Sequence, residues 1–214
     1  MFTRLRATAA VAALLATTSA AAAATVTATF DFTQPGPAYW RSSYTFTNAG
    51  TTLKIKAHNY NSHKEIYRDI RVGRWTGWGL GAGYRGDSNH RVDGRGRDEV
   101  LSFAFDRSVT LENIEFGAYY ANSKFDYFAD NGGALAYDSW GHVADNVVLS
   151  SNNTGIIFGI GASCRCSAFK VRSLTVSWDD GSGNPAPVPL PAGGLMLLSG
   201  LAAVGGARKF KRKS

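Results

Sequence analysis

Between its two ends this chain of 214 residues has no long stretch of Ala, Leu, Glu and Lys, which leaves no material for a helical bundle. Cysteine occurs only as Cys164 and Cys166, and no second Cys or Cys/His pair stands at a matching interval. A local disulfide or two unpaired thiols is therefore expected in place of a zinc site. No G-x-S-x-G elbow and no HExxH helix is present, and "GLGAG" at 79–83 lacks the Lys-Ser/Thr ending of a phosphate loop. The sequence thus assigns no catalytic residue. Excess positive charge is also missing from the body of the chain. Of 23 basic residues, Arg4 and Arg6 lie near the start and Arg208, Lys209, Lys211, Arg212 and Lys213 at the end, so 16 remain to face 16 acidic residues. The formal charge of +7 belongs to the ends, and a neutral body argues against nucleic acid as a partner.

Aromatic residues and glycine are plentiful, with 5 Trp, 9 Tyr, 12 Phe and 24 Gly, a composition that favours β-structure. Residues 1–24 read as a secretory signal peptide: Arg4 and Arg6, an apolar run from Ala7 to Ala16, then small residues up to a cut near Ala24. The segment "VTATFDF" alternates, with Val26, Ala28, Phe30 and Phe32 on one side, before Pro35, Gly36 and Pro37 mark a turn. "SYTFT" and "TLKIKAH", joined by "NAG", predict a hairpin with Leu53, Ile55 and Ala57 inward. From Asn59 to Arg97 no strong periodicity runs, and the stretch reads as a functional or mobile segment that hides a strand or two. "EVLSFAFD" and "SVTLENIEFGAYY" follow, and in the second the apolar phase slips between Leu111 and Ile114, which one inserted residue, a β-bulge, would repair. The last strand, "AFKVRSLTVSW", slips in the same way between Val171 and Leu174. Roughly ten strands predict an all-β domain over 25–178, an antiparallel two-sheet β-sandwich of jelly-roll-like type, with a closed barrel as the second architecture. On a strand, Cys164 and Cys166 would lie about 6.5 Å apart at Cα, near the upper limit for a bridge, so a disulfide requires a turn there.

The polar stretch "GDSNHRVDGRGRDE" gathers oxygen ligands, and Asp87, Asn89, Asp93 and Glu99 form a candidate Ca2+ site beside flexible glycines. Its spacing is not that of an EF-hand, and Asp-Arg pairing in a polar loop is the competing reading. Trp75, Trp78 and Tyr84 form a candidate sugar-binding group, since sugar rings pack on aromatic faces, and Tyr119 and Tyr120 add to it; core packing is the alternative. His58, His63 and Glu65 read as a surface loop, and Glu112, Glu115 and Asp126 are the carboxylates from which a glycosidic pair would be drawn.

A Gly/Ser/Pro linker at 179–187 leads to the closing segment 188–214. Its 16 uncharged residues, 192–207, would make a helix of about 24 Å against a hydrocarbon core of about 30 Å. The basic end beyond it suits the cytoplasmic side, leaving the β-domain outside. Val188, Pro189, Leu190, Pro191 and Ala192, the apolar run and "ARKFKRKS" together resemble the C-terminal sorting signal of exosortase-processed bacterial surface proteins, the PEP-CTERM class in its VPLPA variant. The resemblance implies export through the Sec translocon of a Gram-negative bacterium, transient anchoring in the inner membrane, processing near the motif by an exosortase, and an exopolysaccharide matrix as the setting. The glutamate of the PEP form is absent. The stretch Gly79, Leu80, Gly81, Asp87, His90, Asp93, Gly96, Glu99, Leu101, Phe103 and Phe105 is similar to β-rich bodies that carry this signal. The expectation is a non-enzymatic protein of the cell surface or extracellular matrix. A calcium-dependent carbohydrate-binding module and a polysaccharide-active hydrolase or lyase stand as alternatives.

Overall fold

The structure, a computed structural model, describes residues 24–36, 40–84, 90–149 and 151–181. The signal peptide, the sorting motif with its helix, and Asp87 and Asn89 of the candidate Ca2+ site lie outside the described residues. Thr25–Asp180 forms a compact unit.

The all-β expectation holds. The described residues form twelve strands and no helix: β1 (Thr25–Asp31), β2 (Tyr44–Asn48), β3 (Thr51–Tyr60), β4 (Ile66–Trp75), β5 (Gly79–Gly83), β6 (Val92–Asp93), β7 (Asp98–Gly117), β8 (Lys124–Asp130), β9 (Leu135–His142), β10 (Asn146–Val147), β11 (Thr154–Ala162) and β12 (Ala168–Asp179). They pair in the order β1-β12-β5-β4-β3-β7-β11-β8-β9, with β2 on β3, β6 on β12 and β10 on β7. Every pairing is antiparallel, and the short turns between β2 and β3, β3 and β4, β4 and β5, and β8 and β9 require it of those pairs. The ladder also returns on itself. The first half of β7 pairs with β3 and its second half with β12, so β3, β4, β5, β12 and β7 close a circuit. In place of two unconnected sheets, the long β7 joins the strands into one hydrogen-bonded network.

The hairpin of β2 and β3 turns through Ala49 and Gly50, both at positive φ, the geometry that matches the strand twist. Both phase slips read from the sequence are β-bulges. Val176 pairs with Leu111 and Thr175 with Asn113, which leaves Glu112 as the extra residue on β7; Val171 pairs with Phe116 and Ser173 with Glu115, which leaves Arg172 extra on β12. One insertion on each strand restores the register. The pairs Val171 and Phe116, Leu174 and Ile114, and Val176 and Leu111 all stay within the core.

The stretch 59–97 contains β4, β5 and β6, which the missing periodicity concealed. β5 is "GLGAG", all five residues buried, and a Cβ on Gly79 would overlap the Val171 carbonyl while one on Gly81 would overlap that of His90. A strand whose backbone passes this close to its neighbours carries no alternating side chains to betray it.

Phe30, Phe32, Leu53, Ile55, Phe103, Phe158 and Leu174 lie in the main buried cluster. Tyr60, Val100 and Phe128 form a smaller one, with Ile66 and Leu135 packed against it. Val100 and Phe128 alternate with the main-core residues Leu101 and Tyr127, so the smaller cluster covers the opposite face of β7 and β8. Cys164 and Cys166 are disulfide-bonded with Cα atoms 5.2 Å apart, in a turn where the Ser167 amide donates to the Cys164 carbonyl at 2.9 Å.

Candidate functional site

The aromatic residues singled out in sequence are spread along the β4–β5 hairpin. Trp75 is opposite Gly79 at its turn, while Tyr84 follows Gly83, which is opposite Arg71 at the far end. Trp75 is enclosed: Trp40 meets it edge-on at 5.2 Å, His90 lies 5.0 Å away, and the Lys170 ammonium sits 3.5 Å from the ring centroid. Trp78 is exposed on the same turn, its amide donating to the Trp75 carbonyl. The Tyr84 hydroxyl bonds the Asn59 side chain at 2.7 Å, with Arg68 over its ring. Of the candidate Ca2+ ligands, Asp93 and Glu99 are buried, and both accept backbone amides, Asp93 from Arg95 at 2.8 Å and Glu99 from Asp93 at 3.2 Å. Among the described residues no three His, Cys, Asp or Glu side chains converge as a metal site.

A different site forms on the outer face of β3, β7, β11, β8 and β9. Leu53, Ile55 and Ala57 point inward from β3, so His58 points outward with Lys54 and Lys56. His58 is directly opposite Asp69 on β4, and Ser102 on β7 is opposite Lys56, diagonal to His58. The register therefore lines the three side chains up. His58 Nδ1 is 2.7 Å from Asp69 Oδ1 and His58 Nε2 is 2.9 Å from Ser102 Oγ. A carboxylate only accepts, so Nδ1 carries the proton, and in the neutral ring Nε2 accepts from the Ser102 hydroxyl. Burial pushes the His58 pKa below its ordinary 6.5 although the bond and charge of Asp69 oppose it, so the ring is neutral at pH 7.

The groove beside this chain has a volume of about 530 Å³ and is lined by His58, Lys64, Ile66, Ser102, Leu135 and Ile157 among others. Beside it, glycines on β11 make room for the smaller apolar cluster. Gly159 is opposite Ser102 and Phe128, and Gly161 opposite Val100 and Asp126, so Tyr60, Phe128 and Leu135 lie across the strand where side chains would otherwise stand.

At one end Asn61 holds the β3–β4 turn by accepting the amides of His63 at 2.9 Å and Glu65 at 3.0 Å, and Lys64 takes a left-handed conformation with φ 65°. That turn sends the Lys64 ammonium onto Asp126, with the Tyr60 ring centroid 5.2 Å and the Tyr137 centroid 5.5 Å away. The Tyr60 hydroxyl lies 2.7 Å from Asp126 Oδ2 and also against the Ala162 carbonyl. Burial, and then the negative charge of Asp126, push the Tyr60 pKa far above its ordinary value, so the phenol stays protonated and donates. Asp98 is pushed upward by burial, with Lys64 opposing and Asp126 adding to the shift. Asp126 is thus held by Lys64, whereas Glu112 and Glu115 accept from Ser177 and Ser173 of β12, a separate network.

Along the groove's outer edge runs β9, which ends the strand order and pairs there with β8. Tyr137 is opposite Phe128, Trp140 opposite Asp126 and His142 opposite Lys124. The register shift leaves Asp138 as an extra residue, and this bulge turns Tyr137 and Trp140, three apart in sequence, to one face. Trp140 is 53% exposed and Tyr137 39%. Lys124 lies 4.5 Å over the Trp140 ring, and His142 meets it at 5.6 Å. Sequence reasoning did not single out Asp69, Ser102, Lys64, Tyr137 or Trp140. No local signal marks them, because partners 44 residues apart in the case of His58 and Ser102 meet only through register.

No known family matches the chain, and no curated protein does. Among solved structures it is similar to the family 32 carbohydrate-binding module from C. perfringens NanJ in complex with galactose, with 13% identity and a TM-score of 0.34 over 59% of this chain and 93% of that one. A likeness of that degree leaves fold and ligand to be argued from the residues themselves.

Proposed function

We propose that this is an exported bacterial surface or matrix protein whose β-domain, a layered structure of the sandwich type, binds a polysaccharide along β9 and the adjoining groove. The observation that carries the binding half is the placement of Tyr137 and Trp140 on one face of an exposed end strand, beside a groove that mixes apolar and polar groups. Two rings about two strand positions apart, near 7 Å, suit successive contacts with a sugar chain, and such rings pack on the apolar faces of pyranoses. Lys124, His142 and Lys64 surround them with donors for hydroxyl or carboxylate groups. No metal is needed for this reading. Export is supported by the signal-like residues 1–24 and the VPLPA-type end at 188–214, whose short apolar run suits a transient anchor released by an exosortase.

The binding half is tested with the protein recovered from its own cells on an array of bacterial polysaccharides. The expected result is binding that Trp140→Ala weakens at least about tenfold, a loss of 1.4 kcal/mol. Retained binding in Trp140→Ala and Tyr137→Ala overturns it. The export half is tested by fractionation and C-terminal mass spectrometry: a released form ending near Val188–Ala192 is expected, and a full-length chain confined to the cytoplasm refutes it.

A further inference from the structure

The chain Asp69–His58–Ser102 has the order, atoms and distances of a nucleophile, a base and an orienting carboxylate, and it opens on a groove of substrate size. We propose that Ser102 is the nucleophile of an acyl-transfer site that hydrolyses carboxylic esters, and, resting on the polysaccharide reading above, that its substrate class is O-acyl groups carried on that glycan. Three observations converge on it. A carboxylate 2.7 Å from Nδ1 and a hydroxyl 2.9 Å from Nε2 favour the tautomer that leaves Nε2 as the base facing Ser102. The Ser102 hydroxyl has a second contact, the Lys56 carbonyl, only at 3.5 Å, so its proton belongs to His58. The groove it lines is walled by Ile66, Leu135, Ala136 and Ile157, which suit a short acyl chain, and one wall carries the Lys64 ammonium.

In the first step Ser102 Oγ bonds to the ester carbonyl carbon while its proton passes to His58 Nε2. The carbonyl oxygen becomes negative, and Lys64, with two N–H donors beyond the one directed to Asp126, supplies the positive charge in the groove. The bond from carbon to the sugar oxygen then breaks, and that oxygen leaves as a hydroxyl with the proton from Nε2. Water next attacks the acyl carbon, gives a proton to Nε2, and Ser102 Oγ departs and recovers it, releasing the carboxylic acid. Asp69 is a positioning residue that acts through His58. It is 71% exposed at its side chain and shared with Lys56 at 3.8 Å, so its contribution is smaller than that of an enclosed carboxylate.

Ser102 is only 4% exposed, so access to Oγ is through the groove. The test is labelling of the mature protein with a small fluorophosphonate and peptide mass spectrometry, together with hydrolysis of p-nitrophenyl acetate and acetate release from an O-acetylated polysaccharide. The expected result is a label on Ser102, with hydrolysis falling at least about 100-fold in Ser102→Ala and His58→Ala. Asp69→Asn should lower kcat with KM little changed and alter the pH profile, which a merely structural bond would leave alone. A wild-type protein in which Ser102 takes no label, or Ser102→Ala that hydrolyses as well as wild type, overturns the proposal. Should Ser102→Ala fold poorly by its melting curve, the site of wild-type labelling decides alone. Measurements on the wild-type protein separate the two readings: array binding with no label on Ser102 overturns the acyl-transfer site alone, and a label on Ser102 with p-nitrophenyl acetate hydrolysis but no array binding overturns the polysaccharide reading alone.

Discussion

Gly161→Ala is a direct test of how β11 makes room for the Tyr60 ring. A Cβ there would stand 2.9 Å from Tyr60 Cε1 and 3.1 Å from the Glu99 carbonyl oxygen, closer than carbon contacts tolerate. Tyr60 cannot swing away freely, because its hydroxyl is held by Asp126 and the Ala162 carbonyl and its ring meets Phe128 edge-on at 5.2 Å. Overpacking of this kind costs about 1–3 kcal/mol, which for a domain of this size lowers Tm by roughly 2–4 °C per kcal/mol, hence by about 2–12 °C. Thermal melts followed by circular dichroism measure it. A double-mutant cycle identifies the obstruction: in a Tyr60→Leu background the added cost of Gly161→Ala should fall by at least half. A Tm within about 1 °C of wild type, or strict additivity of the two substitutions, would refute the account.

The pH dependence of stability should carry a signature of His58. Its folded pKa is depressed, so the unfolded chain binds the proton first, and stability is lost as pH falls through about 6.5 toward the folded value. His58→Gln should flatten the difference in Tm between pH 7.5 and 5.5, and an unchanged slope would count against a buried neutral ring. Reduction of Cys164–Cys166 should have a small effect, because so short a loop removes only about 1.6 kcal/mol of chain entropy from the unfolded state. A fall in Tm of a few degrees is expected after reduction, and complete unfolding would show that the turn depends on the bond.

Much of the β-framework could be read from local pattern. The β2–β3 hairpin follows from two alternating runs and "NAG", and the bulges at Glu112 and Arg172 follow from phase slips visible in each strand alone. The turn between Cys164 and Cys166 was a geometric requirement of pairing them. β5 was hidden because glycines replace the side chains on which periodicity depends. Trp75, Trp78 and Tyr84, adjacent in a short and conspicuous segment, are parted by the β4–β5 hairpin, which packs one ring against Trp40, His90 and Lys170 and leaves another exposed on a turn. The bulge that aligns Tyr137 with Trp140 has no such mark, since "ALAYDSW" shows no apolar phase to slip.

Alternation with period two, turn chemistry and the small residues at bends are local properties. They sufficed to determine an all-β domain, the inward faces of its main strands and the neutrality of its body. Which strand stands beside which is a matter of register over long separations, and only the tertiary structure decided that. The closure of β7 on both β3 and β12, and the meeting of Asp69, His58 and Ser102, arise because core residues on both partners must face inward together. Once the inward faces are satisfied, the outward residues are aligned as a consequence, and the groove is made from them.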